Sequence, residues 1–123
     1  MESICKIIKL SPRLTHEIDF DTIVMKIELK GVLDFDTSKD LWIFLSTTIK
    51  GGIKYIVYDM MDLEYIDSSG IAVLFNTAKS LNQEGGNTAI INLPEDIENI
   101  FKTVNLQKLV KILKSEEDIP LYF

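Results

Sequence analysis

The clearest pattern along the chain lies at residues 22–30. Ile23, Met25, Ile27 and Leu29 alternate there with Thr22, Val24, Lys26, Glu28 and Lys30. A period of two predicts a strand with one face buried and the other at least partly wet. Gly31 then breaks the run. After it, Leu41, Phe44, Leu45, Thr48 and Ile49 fall at helical spacing, so a helix faces a sheet there. Asp36 or Thr37 reads as its N-cap, with Asp40 near the first turn, and Gly51-Gly52 stops it. Residues 53–59 are apolar without strict alternation, which predicts a central strand covered on both faces or at least flanked on both sides. Met60 to Ile66 read as a loop. Beyond it, Ile71, Leu74, Phe75, Ala78 and Leu81 mark a second helix that ends at Gly85-Gly86.

The flanks carry weaker versions of the same patterns. Residues 3–10 read as a first strand closed by Ser11-Pro12-Arg13, with a polar connection through Asp21. Residues 87–92 read as another strand. Pro94 opens a third helix in which Ile97, Ile100, Phe101 and Val104 share a face, and Asn105 stops it. Leu109 to Leu113 read as a last strand. Ser115 to Asp118 start a helical turn that Pro120 cuts short, and the apolar tail Leu121-Tyr122-Phe123 is expected to dock on the domain. The resulting order is β-β-α-β-α-β-α-β. Strands separated by helices run parallel, and the opening pair can run antiparallel. The expectation is a single α/β domain over residues 1–123, with helices packed on a mixed sheet.

Composition narrows the function classes. The chain has 123 residues, 46% of them hydrophobic, and a formal net charge of −6. That charge disfavours nucleic acid, whose phosphates call for clustered Lys and Arg. The one cysteine, Cys5, allows no internal disulfide or multi-cysteine metal site and reads as a buried structural thiol. No apolar run approaches the roughly 20 residues of a membrane span, and no signal peptide is apparent. A cytoplasmic protein is expected.

Chemistry concentrates in Tyr65-Ile66-Asp67-Ser68-Ser69-Gly70, where the second helix should begin. A serine at a helix start can cap it, and it stands exposed at the sheet rim. A phosphate there would meet the free N–H groups and positive dipole end of the helix. Nucleophilic catalysis lacks a partner base, since the one histidine, His16, sits in an unrelated polar segment. The acid pairs Asp34 with Asp36 and Asp59 with Asp62 read as capping or solvated groups. There is no phosphate-cradling glycine loop and no zinc spacing. The chain is expected to be a binding domain, not an enzyme, with no cofactor and no metal site.

The stretch Tyr55-Ile-Val-Tyr-Asp followed by Leu63-Glu-Tyr-Ile-Asp-Ser-Ser-Gly-Ile-Ala-Val-Leu resembles the core of STAS domains, specifically bacterial anti-sigma factor antagonists of the SpoIIAA/RsbV type. Three further segments extend the resemblance over nearly the whole chain. Gly31-Val-Leu-Asp34-Phe-Asp-Thr37 resembles the family's Gly-Glu-Leu-Asp-x-x-Thr loop. Gly85-Gly86-Asn87 falls at the turn before the fourth strand, and Asn99 to Leu106 fits the third-helix pattern. The resemblance implies that Ser68, the first serine of the motif, is phosphorylated by a serine kinase that is also the anti-sigma factor. Asp34, Thr37, Asp67, Ser69 and Gly70 would belong to the partner-binding surface. Unphosphorylated protein would sequester the anti-sigma factor and release a sigma factor for transcription. A PP2C-type phosphatase would remove the mark, and ATP and Mg²⁺ would belong to the kinase. Val32 stands where the family usually has an acid, Ala72 where it commonly has glycine, and the connection 11–21 is long. The alternative is a non-phosphorylated STAS scaffold or adaptor in a stress-signalling or lipid-transport complex.

Overall fold

In the computed structural model, the described residues are 5–12, as backbone, and 23–118. The elements are β1 (Cys5–Pro12), β2 (Ile23–Leu33), α1 (Phe35–Lys50), β3 (Tyr55–Ile66), α2 (Ser68–Gln83), β4 (Asn87–Ile91), α3 (Glu95–Thr103) and β5 (Lys111–Leu113). Short 3₁₀ turns at Leu106–Lys108 and Glu116–Asp118 flank β5. The five strands form one sheet in sequence order. β1 runs antiparallel to β2, and β2 to β5 are mutually parallel. The mixed α/β sheet expected from the element order is therefore present. The connection 11–21 beyond Pro12, His16 and the tail at 121–123 lie outside the described residues, as does the side chain of Cys5.

Strand parity assigns the two faces. Met25, Ile27 and Leu29 of β2, Ile56, Tyr58 and Met60 of β3, and Ile90 of β4 point to one face and form the main core. Leu41 and Leu45 of α1, Leu74, Ala78 and Leu81 of α2, and Ile97 and Phe101 of α3 join the same cluster. All three helices thus pack on one side of the sheet. The alternate residues Tyr55, Val57, Ala89 and Ile91 are buried in a second cluster on the other face. Tyr55 to Met60 are all buried, as expected of a strand covered on both faces. In α2, Phe75 is 40% exposed, and Val73 and Thr77 fill the inward positions instead.

Two expectations about breaks in the chain are corrected. Gly31 does not end β2; the strand continues to Leu33, with Gly31 at φ +78°. Met60 to Ile66 are not a loop but the second half of β3. The register explains both. From the pair Glu28–Asp59 to Lys30–Asp62, β3 advances three residues while β2 advances two. From Gly31–Leu63 to Val32–Tyr65, β3 advances two and β2 one. Each step inserts one extra residue into β3, so each is a bulge. The bulges change the burial period: Met60, Leu63 and Ile66 are buried at a spacing of three. A strand with that spacing does not look like one when period two is the test.

Candidate functional site

The ends of β2 and β3 place two helix starts side by side. Leu33 pairs with Ile66, the last residues of the two strands. The Asp67 N–H then donates to the Leu33 carbonyl at 3.1 Å, carrying the ladder one step past both strands. Asp34 begins α1 and Asp67 begins α2 immediately beyond. Gly70 lets the two meet. A Cβ on it would stand 2.7 Å from Leu33 Cγ and 2.8 Å from Ile66 Cγ1, inside the closest approach of carbon atoms.

The α1 start is a closed cap. The N-cap is Asp34, not Asp36 or Thr37. Its Oδ1 accepts from the Thr37 N–H at 3.1 Å, and the Thr37 hydroxyl accepts from the Asp34 N–H at 2.8 Å. That hydroxyl also donates to the Val32 carbonyl at 2.9 Å. Such reciprocal pairing is a capping box with threonine in the third position. Thr37 is buried and the hydrogen bonds saturate it. The Thr37 backbone N–H, followed by its hydroxyl, which stands 3.0 Å from Asp34 Oδ1 and shares its one proton between that oxygen and the Val32 carbonyl, holds the Asp34 carboxyl below its ordinary 3.8, because these bonds favour the charged form.

The α2 start is open. Asp67 is the N-cap, and no serine takes that position. Its Oδ1 accepts from Ser69 N–H at 2.8 Å and from Gly70 N–H at 3.2 Å. Ser68 is the first helical residue and is exposed. Its hydroxyl makes no hydrogen bond to another described residue. Ser69 is half-buried and Gly70 buried. Two of the N–H groups that could have met a phosphate are thus already held by the Asp67 carboxylate.

The structure therefore brings Asp34, Thr37, Asp67, Ser68, Ser69 and Gly70 to one rim. Within that rim Ser68 offers a free reactive group, Asp34 and Asp67 offer charge, and Thr37 and Gly70 are interior. The same rim holds residues that sequence reasoning passed over. Phe35 is 63% exposed beside Asp34, with the Lys39 ammonium 5.2 Å from its ring centroid. Tyr65 is 53% exposed and Met61 64% exposed on the bulged half of β3. The signal for Met61 and Tyr65 was large apolar side chains in a segment read as a loop, and for Phe35 a large apolar side chain between two acids. Asp59 is buried; its Oδ1 accepts from the Met61 N–H and from Asn92 Nδ2, both at 3.1 Å, while Asp62 is exposed. Asp59 and Asp62 therefore do not act as a pair.

No group of three or more His, Cys, Asp or Glu among the described residues is placed to hold a metal ion. No helix of the described residues is long and apolar enough to cross a membrane.

The chain thus combines a five-stranded mixed sheet, helices on one face and an Asp-Ser-Ser-Gly helix start beyond β3. Residues 14–119 match the STAS domain family, and the chain belongs to it. Among its relatives, the anti-sigma F factor antagonist of Paenibacillus polymyxa is 27% identical over 104 residues, covering 84% of this chain and 89% of that protein. The anti-sigma-B factor antagonist of Staphylococcus epidermidis is also 27% identical over 104 residues, covering 85% and 92%. The Bacillus cell fate determinant SpoIIAA in its phosphorylated form superposes with a TM-score of 0.68 at 20% identity, covering 96% of this chain and 100% of that one. That likeness is one of fold. The two relatives are named for antagonising anti-sigma factors.

Proposed function

We propose that this chain is an anti-sigma factor antagonist switched at Ser68. The carrying observation is the exposed Ser68 hydroxyl at the open start of α2, in a chain whose relatives over most of its length bear that function's name. Unphosphorylated, the rim of Asp34, Asp67, Ser68 and Ser69 docks an anti-sigma factor that is also a serine kinase. Thr37 and Gly70 shape the rim from inside. Sequestration of that factor releases a sigma factor, and a PP2C-type phosphatase restores the free hydroxyl. The working compartment is the cytoplasm, where transcription takes place.

The geometry sharpens how a phosphate would act. It adds about −1.5 to −2 charges and three oxygens. Because Asp67 already occupies the Ser69 and Gly70 N–H groups, the phosphate finds little of the helix terminus open to it and stands outward. It then blocks a partner surface fitted to a bare hydroxyl, with no change of fold required. A hundredfold loss of affinity needs only about 2.7 kcal/mol.

The test is to incubate the protein with each serine-kinase-type anti-sigma factor of its host and Mg-ATP, then map the modified residue by mass spectrometry. Phosphate on Ser68, lost in Ser68→Ala, supports the reading. Undiminished phosphorylation of Ser68→Ala, with the label on Ser69, overturns the choice of residue. A Ser68→Asp variant that binds the partner like wild type points to a constitutive scaffold instead.

A further inference from the structure

The bulged half of β3 takes no part in capping either helix. β4 runs beside β3 only as far as the pair Asp59–Ile91. Past that point β3 is bonded to β2 on one side, and no described strand pairs its other edge. The two bulges turn Met61 with Asp62, and Glu64 with Tyr65, out to solvent. This display is braced from beneath: Asp59 is buried and holds both the Met61 N–H and the Asn92 amide. Met60, Leu63 and Ile66 anchor the segment to the core between the exposed pairs.

The strip's charge is uneven. Along the chain no Lys or Arg occurs between Lys54 and Lys79, while across the sheet Lys30 stands opposite Asp62; Glu64, the extra residue of the second bulge, has no register partner. Two large apolar side chains stand beside them, 64% and 53% exposed. An unpaired strand edge offers backbone groups to an added extended segment, and alternating side chains give that pairing its specificity. Tyrosine at such a place is a frequent binding anchor. The strip is continuous with the Ser68 rim, since Tyr65 lies two residues before the Asp67 cap.

We propose that the Met61–Tyr65 strip is a second contact for the partner that meets Ser68. It receives an extended partner segment carrying Lys or Arg together with apolar side chains. The inference rests on the Ser68 reading and adds to it a determinant of partner choice. The strip's acids steer a basic partner, so the contact weakens with salt. Its apolar residues supply contact area that salt does not screen.

The experiment uses the full chain and the host's purified serine-kinase-type anti-sigma factors, titrated by calorimetry at low and at physiological salt. The variants are Asp62→Lys/Glu64→Lys, Met61→Gln/Tyr65→Gln and Ser68→Glu, with the single Glu64→Gln as a conservative check should a double variant melt early by circular dichroism. Each double variant is expected to weaken binding by about tenfold or more. The loss from charge reversal shrinks as salt rises, and the loss from the apolar pair does not. Phosphorylation of Ser68 in both variants should show raised KM at unchanged kcat. If both doubles and Glu64→Gln bind within about twofold of wild type while Ser68→Glu does not bind, the strip proposal falls and the Ser68 reading stands. If no such kinase binds or phosphorylates the wild type, both fall.

Discussion

The two helix starts at the sheet rim do the same local task in opposite ways. Asp34 caps α1 and Asp67 caps α2, each in extended backbone, each just past the end of a parallel strand. At α1 the cap is reciprocal, and Thr37 spends its hydroxyl inward on the Asp34 N–H and the Val32 carbonyl. At α2 the cap is one-sided, and the nearby hydroxyl of Ser68 points at nothing described. The difference lies in position. Thr37 sits in the third helical position and faces back over the cap, whereas Ser68 sits in the first and faces out. A hydroxyl-bearing residue near a helix N-terminus is therefore structural or available according to one or two residues of offset. In this molecule the closed cap builds the rim and the open cap presents it.

That contrast can be broken most severely at Gly70. Gly70→Val forces carbon into Leu33 and Ile66 and should cost about 3 kcal/mol, the upper part of the range for overpacking, read from urea denaturation. A stability within 0.5 kcal/mol of wild type would show that the rim can relax and that the close approach is not required.

Thr37→Val keeps the volume and removes the closed cap. It leaves the Asp34 N–H without its partner in a partly buried site, so a loss of about 1–2 kcal/mol is expected. Asp67→Ala should lose about 1 kcal/mol, because it frees two N–H groups that water can still reach. Thermal melts of the two variants side by side test the ranking; an Asp67→Ala penalty larger than that of Thr37→Val would invert the comparison.

The caps also differ in acid. The Asp34 carboxyl is held below 3.8, so its contribution to stability is complete above that value. It is lost as pH falls below 3.8 and through the lowered folded value, because protonation then favours the unfolded chain. Asp34→Asn should remove this part of the acid dependence while leaving neutral-pH stability less affected. Urea midpoints measured between pH 2 and 5 would show it, and an unchanged acid slope in Asp34→Asn would count against the closed cap. The smallest effect belongs to Ser68→Ala, expected within about 0.5 kcal/mol of wild type in stability. A loss above 1 kcal/mol would mean that the Ser68 hydroxyl has a structural role after all.

Much of the fold was legible in the chain. The alternation at Met25 to Leu29, the uninterrupted apolar run at Tyr55 to Tyr58 and the spacing of Leu41 with Leu45 each appear in the structure as read. The second helix was also placed correctly, from Ser68 onward. Caps were read less well. From the sequence Asp36 or Thr37 reads as the cap and Asp34 is passed over, since any short polar side chain before an apolar repeat satisfies the rule. Choosing among them requires knowing where β2 ends. The segment 60–66 was misread because its two bulges replace the period of two with one of three. Met61 and Tyr65 consequently went unnoticed as surface residues.

By itself the sequence determined the element order, a mixed sheet whose opening pair could run antiparallel, the acid-flanked serines at a helix start and the family to which they point. These follow from local periodicity and from short motifs, which need no distant contact to be read. Only the tertiary structure decided that Leu33 and Ile66 end in register, so that two caps more than thirty residues apart share one rim. Only it decided that Thr37 is interior, Ser68 outward and Asp67 the true cap. Register between parallel strands is set by cross-strand pairing and bulges, which no single segment encodes.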